Sequence, residues 1–453
     1  MIDVKDKHIT VAGAARSGVA AAVFLKKKGA DVFVTDNGII TAPARQRLNN
    51  HGIPFEEKGH SSKAWKANFL VVSPGVPTKS SIVQYYLQQK KKVYSELEMA
   101  SWFNRGNIIA VTGTNGKTTT TSWLDHLWTT AGRKHITAGN IGLAFSDIVD
   151  DTDDKTDVIL EVSSFQLDFI KSFKPHISLL LNITPDHLNR YDNKFENYIQ
   201  AKLKIFSNQG PNDYLIYSYD DPVIRRVLMD MPKKGKGPKL LAFSINNKVP
   251  EGAFVDGNKI IFRQNNLEEV LMNAEEVSLK GQHNLNNGLA TALAARASEI
   301  KNEAIRDSLM NFEGVEHRLE FVRELDGVRY INDSKATNVN AVWYALDSFQ
   351  MPMVLIMGGR DKGNDYSELA NMLRQKVHTI VAIGEGKDQI QKQLENVVPN
   401  IITADTMEQA VRLGRKWAKS GEIVLLSPAC SSFDMFDNYE HRGKEFKRYV
   451  NNL

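Results

Sequence analysis

The stretch Asn107–Thr121, Asn-Ile-Ile-Ala-Val-Thr-Gly-Thr-Asn-Gly-Lys-Thr-Thr-Thr-Thr, constrains the chain more than any other. Ile108–Val111 is a short apolar run rich in β-branched residues, which suits a strand buried on both faces of a parallel sheet. The run breaks at Gly113 and Gly116, and Lys117 opens a helical pattern that reaches about Ala131. Strand, glycine turn and helix start together make an anion cradle. Backbone N–H groups and the helix dipole face the anion, Lys117 adds a point charge, and the Thr118 hydroxyl offers a ligand to Mg²⁺. The spacing departs from G-x-x-x-x-G-K-[ST] at one place, because Val111 stands where the first glycine belongs. A nucleoside triphosphate is the ligand this stretch predicts, held by Gly113, Thr114, Asn115, Gly116, Lys117, Thr118 and Thr119. A turn without ligand is the bland alternative.

A chain of 453 residues leads us to expect about three domains. With 42% hydrophobic and 24% charged residues it has the make-up of a soluble protein with ample core. A net charge of +4, with no basic stripe interleaved with aromatics, argues against a nucleic-acid partner. The Lys233–Lys239 run reads as a solvated loop. A single cysteine, Cys430, excludes an internal disulfide and fits a reducing cytoplasm. The N-terminus has no apolar signal core, and no apolar run approaches membrane-spanning length. The expectation is a cytoplasmic protein with no membrane insertion.

Taken in order, His8–Gly13 reads as a strand, Ser17–Lys28 as a helix and Asp31–Asp36 as a second strand. The first turn, Gly13-Ala14-Ala15-Arg16-Ser17-Gly18, has Ala15 where a dinucleotide fingerprint wants glycine. Asp36 offers an acceptor to a sugar or base, or caps the turn that follows. Phe69–Val72 runs into Ser73-Pro74-Gly75-Val76-Pro77, a rigid turn suited to lining a ligand crevice.

The second segment begins near Glu96. Asp157–Val162 is a buried strand with Glu161 at its C-terminal end, where ligands of open α/β sheets sit, so Glu161 is placed to hold a metal or its water. A strand at Ile177–Ile183 delivers His187, and the helix Phe195–Phe206 carries Lys202. Between Asp213 and Phe262, alternating short strands and turns continue the sheet into a smaller β portion. Asn284 and Asn287 lie three apart on one helical face, where both amides can meet a ligand. Helix capping would account for Asn284 alone.

The last segment starts around Gly314. Strands at Val328–Asn332, Met353–Met357, Thr379–Ile383, Ile401–Ala404 and Ile423–Leu426 alternate with helical patterns. Three strand-end loops, Asn332–Asn338, Gly358–Gly363 and Ser427–Phe433, should fall on one rim of that sheet. The fold class expected is α/β in three domains. Residues 1–95 form a Rossmann-like domain, 96–313 a central P-loop ATPase-type domain and 314–453 a second Rossmann-like domain. A hinge is expected near Asn311–Gly314.

Five spaced motifs carry a resemblance. Gly113-Thr-Asn-Gly-Lys-Thr118, the His187 loop, Ala201-Lys-Leu203, His283-Asn-Leu-Asn-Asn287 and His317-Arg318 together resemble the Mur ligase family, ATP-dependent amide-forming enzymes of peptidoglycan synthesis. Within it, Asp333-Ser-Lys-Ala-Thr-Asn338 and Leu426-Ser-Pro-Ala-Cys-Ser-Ser432 resemble the branch that adds D-glutamate to UDP-N-acetylmuramoyl-L-alanine. The resemblance implies ATP, two Mg²⁺ ions and a carbamylated lysine at Lys202. It implies metal ligation by Thr118, Glu161, His187 and Lys202, with Lys117, His187 and Lys202 catalytic. Asn287, Arg318, Asp333 and Lys335 would face the nucleotide. Ser17, Asp36, Asn37, Ser73 and Asn140 would face the UDP-sugar, while Thr337, Lys362, Ser432, Phe433 and Tyr439 would line the D-glutamate side. A monomer is expected. A folate-extending glutamate ligase, a P-loop ATPase switch and a dehydrogenase are the competing readings. The first would lack the uridine-binding domain, the second would leave the C-terminal rim idle, and the third is opposed by the Gly13–Gly18 loop.

Overall fold

The computed structural model describes residues 3–229, 237–361 and 363–453. Lys233–Lys236 of the expected basic loop lie outside the described residues. The chain divides into two compact units, one running to Ser278 and resuming at Asn286–Phe312, the other made of Leu279–Leu285 and Glu313–Leu453. The expected α/β architecture is present as three sheets, two in the first unit and one in the second.

The first sheet comprises β1 (His8–Ala12), β2 (Asp31–Thr35), β3 (Phe55–Glu56), β4 (Phe69–Val72) and β5 (Lys92–Ser95). It is parallel throughout, in the order β3-β2-β1-β4-β5. Strand order therefore reverses at β1, between β2 and β4, which opens a crevice at the strands' C-terminal ends. Gly13 follows β1 with φ +90°, and a Cβ there would lie 2.9 Å from the Cβ of Ser73. Gly18 is tighter: its Cβ would meet the Gly13 carbonyl at 1.8 Å. These glycines let the first helix pack on the end of its own strand.

The helix Glu96–Ser101 joins the first two sheets. It starts at Ser95, whose hydroxyl accepts from the Glu98 N–H, and it carries two buried carboxylates. Glu98 accepts from the N–H groups of Lys171, Ser172 and Phe173, from the Ser172 hydroxyl and from Trp102 Nε1. Glu96 accepts from both the N–H and the hydroxyl of Ser146.

The middle sheet contains β6 (Asn107–Thr112), β7 (His135–Gly139), β8 (Asp157–Glu161), β9 (Ile177–Leu180), β10 (Tyr214–Ser218), β11 (Lys239–Ser244), β12 (Gly252–Asp256), β13 (Lys259–Gln264) and β14 (Leu267–Asn273). Its order is β7-β8-β6-β9-β10-β11-β12-β13-β14, parallel as far as β12 and antiparallel beyond. All of β8 and all of β6 after Asn107 is buried, as the apolar runs predict. Strand β9 stops at Leu180, short of the expected Ile183, because the chain is drawn off the ladder: the Ile183 N–H donates to Asp221 at 2.8 Å. The helix expected to reach Phe206 is α-helical over Phe195–Leu203 and tightens into a 3₁₀ turn at Lys204–Phe206.

The second unit holds β15 (Glu320–Leu325), β16 (Val328–Asn332), β17 (Met353–Gly358), β18 (Val377–Ile383), β19 (Asn400–Ala404) and β20 (Ile423–Leu426). Five strands run parallel in the order β16-β20-β17-β18-β19, with β15 antiparallel at the edge. Strands β3, β5 and β15 escape the hydrophobic pattern because they are short or half-exposed edges. Among the described residues, no helix is long and apolar enough to cross a membrane.

Candidate functional site

The turn after β6 is built as an anion cradle. Gly116 caps the helix Lys117–Thr130 in the left-handed region at φ +84°, and a Cβ there would sit 2.5 Å from Asn287 Oδ1. Only glycine fits both the backbone and the neighbour. The first intrahelical bond is from Thr120 N–H to the Gly116 carbonyl. The N–H groups of Lys117, Thr118 and Thr119 precede it and face outward along the helix dipole. Thr114 and Asn115 also hold the shape of the loop. Their N–H groups donate to the carbonyl and the side-chain oxygen of Asn182, so they brace the loop against the chain after β9.

Lys117 Nζ folds onto the loop, donating to the carbonyls of Gly113 at 2.9 Å and Thr114 at 2.8 Å. Lys202 Nζ donates to the same Gly113 oxygen at 2.7 Å and lies over the Tyr198 ring. Lys202 is only 1% exposed. Burial, reinforced by the charge of Lys117, pushes its pKa well below the ordinary lysine value, and Asp186 acts weakly the other way.

Glu161, buried at the end of β8, accepts from the Thr118 hydroxyl on one oxygen and from Asn140 Nδ2 on the other, each at 2.8 Å. Hydroxyl and carboxylate oxygens converging on a cradle make a hard-cation donor set. His187, at φ +52°, sits on an exposed turn with its ring against Phe165 and Asp186 Oδ2 3.7 Å from its Nε2.

The first sheet's rim meets this crevice. Arg16 Nη2 donates to the Asn140 carbonyl at 2.8 Å, and Arg190 donates to the carbonyls of Pro74, Gly75 and Val76. Ser17 and Ser73 are buried beside Gly13 and Gly18, while Asn37 is exposed. The two oxygens of Asp36 accept from the N–H groups of Ala14 and Gly38.

In the second unit, Asp333 is buried at the end of β16, accepting from the Ser427 hydroxyl and the Leu319 N–H. Burial lifts its pKa to about 6, against the pull of the Arg318 charge. Lys335 Nζ donates to the Tyr439 hydroxyl at 3.1 Å and lies over that ring. Ser432 is buried, Thr337 half-buried and Phe433 exposed on the same set of strand-end loops. Lys362 lies outside the described residues. Asn284 turns its amide to the Lys280 carbonyl, whereas Asn287 reaches Gly116, which separates the two asparagines that share a helical face.

Three family models match in chain order: the MurD N-terminal domain at residues 13–82, the Mur ligase middle domain at 111–295, and the Mur ligase glutamate ligase domain at 317–430. The chain belongs to the Mur ligase family. This Mur ligase is 48% identical over 456 residues to the UDP-N-acetylmuramoylalanine–D-glutamate ligase of Salinibacter ruber, covering 100% of this chain and 99% of that one. It is 41% identical over 465 residues to the protein of the same name from Chloroherpeton thalassium, covering 100% and 99%. Among solved structures, it is similar to UDP-N-acetylmuramate–alanine ligase MurC from Thermotoga maritima, with a TM-score of 0.61 at 17% identity, over 99% of this chain and 100% of that one. At that identity the likeness is one of fold.

Sequence reasoning passed over several residues that build the Mur ligase cradle. Asn182 clasps Asn115 from both ends, since its Nδ2 also donates to the Asn115 carbonyl. Tyr198 shares a hydrogen bond with the Thr114 hydroxyl and floors Lys202. Arg16 and Arg190 join the two rims. Each was an ordinary polar residue in a helix or loop, and only the fold supplies the partner.

Proposed function

We propose that this Mur ligase joins D-glutamate to UDP-N-acetylmuramoyl-L-alanine at the expense of ATP, in the cytoplasmic synthesis of peptidoglycan precursor. The observation that carries the reading is the cradle after β6: an outward-facing helix start, Lys117 and Lys202 at one carbonyl, and Thr118 paired with Glu161. Full-length likeness to relatives named as D-glutamate ligases supports the choice of substrate. The match to a MurD N-terminal domain counts against a folate-extending ligase, which has no use for a uridine-binding domain.

Phosphoryl transfer to a carboxylate is mostly positioning and charge neutralisation. The substrate carboxylate attacks the γ-phosphorus of ATP, ADP leaves, and the amine of D-glutamate attacks the resulting acyl phosphate. The tetrahedral adduct then expels phosphate to leave the amide. In this scheme the N–H groups at the start of the Lys117–Thr130 helix and the Lys117 ammonium hold the phosphates. Thr118 and Glu161 fit one Mg²⁺, since hydroxyl and carboxylate oxygens meet at 2.8 Å. His187 and Lys202 are assigned to a second. Mg²⁺ would neutralise charge on the phosphates as it moves from donor to acceptor.

Lys202 serves this scheme as a carbamate. Burial lowers the Lys202 pKa and so favours the uncharged amine, the form that adds to CO₂, releasing one proton and leaving an oxygen-rich anion suited to a hard cation. We assign Asn287, Arg318, Asp333 and Lys335 to the nucleotide, and Ser17, Asp36, Asn37, Ser73 and Asn140 to the sugar nucleotide. Thr337, Lys362, Ser432 and Tyr439 are assigned to D-glutamate. The test is phosphate release from ATP with the sugar nucleotide alone, then with D-glutamate, L-glutamate or lysine added. We expect turnover only with the sugar nucleotide and D-glutamate together. Equal turnover with L-glutamate or lysine, or without the sugar nucleotide, would overturn the assignment.

A further inference from the structure

Among the described residues, Arg442 is the largest charged side chain fully buried in the second unit, 1% exposed, yet it makes no direct ion pair with any of them. Its three nitrogens donate instead to neutral acceptors. Nε reaches the Ser334 hydroxyl at 3.0 Å, Nη2 the Ser334 carbonyl at 2.8 Å, and Nη1 the Cys430 carbonyl at 3.1 Å. The third loop touches the same group: a Cβ on Gly359 would come within 3.2 Å of Nη1. So the loops after β16, β17 and β20 all meet at one planar cation.

The location is costly. Burying a charge is unfavourable even with Asp434 and Asp333 acting on it without direct contact, and Arg442 also lies in the first turn of the helix Tyr439–Asn451, where the dipole disfavours a cation. Burial pulls its pKa down only to about 10, so it stays protonated at neutral pH. A hydrophobic residue would fill the space at lower cost, but it would not fix three loops at once. The Ser334 hydroxyl that accepts from Nε donates in turn to the Tyr439 carbonyl, which carries the same restraint to the start of that helix. Ala429 N–H to the Ala336 carbonyl, and Arg360 N–H to the Ser431 carbonyl, complete the lacing of the three loops.

We propose that Arg442 is a positioning residue for the amino-acid subsite, holding the Ser334, Gly359 and Cys430 loops in the one register in which Thr337, Ser432 and Tyr439 can grip a dicarboxylate. This rests on the assignment of those residues to D-glutamate. Lysine cannot satisfy three acceptors in a plane, so Arg442→Lys keeps the charge and loses the register. We expect it to raise the KM for D-glutamate by about tenfold or more, within the ~10²-fold that a misplacement of roughly 1 Å can cost. The KM for the sugar nucleotide and the thermal midpoint should stay near wild type. Ser334→Ala removes the Nε acceptor and the Tyr439 tie, and should raise the same KM by a smaller factor. Arg442→Lys that is folded with an unchanged D-glutamate KM would overturn the proposal. So would a parallel rise in both KM values, the mark of a merely structural role. Should Arg442→Lys fail to fold, Ser334→Ala decides, and an unchanged D-glutamate KM there overturns it equally. A wild-type enzyme inactive with D-glutamate strikes at the substrate assignment, whereas an active wild type with unaffected variants strikes at Arg442 alone.

Discussion

Lys117 and Lys202 donate to the same oxygen, the carbonyl of Gly113, from 2.9 and 2.7 Å. Burial, and then repulsion between two ammonium groups that close, pulls the Lys202 pKa well below the ordinary lysine value. If Lys202 acts as the proposed carbamate, Lys202→Ala should be folded and lose about 10²-fold or more in kcat. Added acetate or formate should restore part of the rate by returning carboxylate oxygens. Wild-type activity should also fall slowly in buffer stripped of CO₂. Full activity of Lys202→Ala without any small acid would refute the carbamate.

Lys117→Ala removes the cradle's own cation while leaving the helix start in place. We expect a loss of at least about 10²-fold in turnover, the usual scale for one electrostatic stabiliser. A nucleotide-binding titration should weaken in parallel. Near-wild-type turnover in a folded protein would remove the phosphate role from this loop.

Glu98 tests what holds the first unit together. Burial alone would raise its pKa, yet hydrogen bonds from Ser172, Trp102 and the N–H groups of Lys171 and Phe173 bring it below the usual glutamate range. Glu98→Ala leaves those donors without their acceptor, and should cost about 3 kcal/mol or more in denaturant unfolding. Glu98→Gln keeps one acceptor oxygen and should cost less. A loss below about 1 kcal/mol for Glu98→Ala would mean the loop simply resolvates.

How far the sequence reaches is clear from contrasting residues. Runs such as Ile108–Val111 and Ile423–Leu426 announce buried parallel strands because every side chain there is apolar. The cradle is legible for a similar reason, since glycine at 116 and lysine at 117 are demanded by local geometry and charge. Glu98, Tyr198 and Arg442 are illegible. Their partners lie at Ser172, Thr114 and Ser334, 74, 84 and 108 residues away along the chain, and no local pattern encodes that distance. Lys202 is intermediate: a helical lysine by composition, singled out only by the motif around it.

Asp168 gives the first unit a pH dependence of defined sign. Burial lifts its pKa to about 6, above the roughly 3.9 of an unfolded aspartate, although Lys204 and Arg190 pull the other way. The native state holds its proton longer than the unfolded chain does. Its stabilising contribution is thus complete below pH ~4 and lost as pH rises through about 6. Asp168→Asn removes that slope: relative to wild type, the variant should gain stability between pH 4.5 and 7. Denaturant midpoints at the two pH values measure it, and a constant wild-type-to-variant difference would exclude Asp168 as the source.

The second unit is not one continuous stretch of chain, since Leu279–Leu285 packs with it and Asn286 returns to the first. Within that short segment the His283 ring lies against Tyr344, and Gly281 lies close to Ser348. A gene fragment beginning at Glu313 would encode a unit with a missing piece, so the two parts cannot be exchanged between relatives by a single cut. The order of synthesis matters too. The last sheet to leave the ribosome finishes its packing on a segment made before the first unit is complete, which makes translation of the second half a condition for Leu279–Leu285 to find its place.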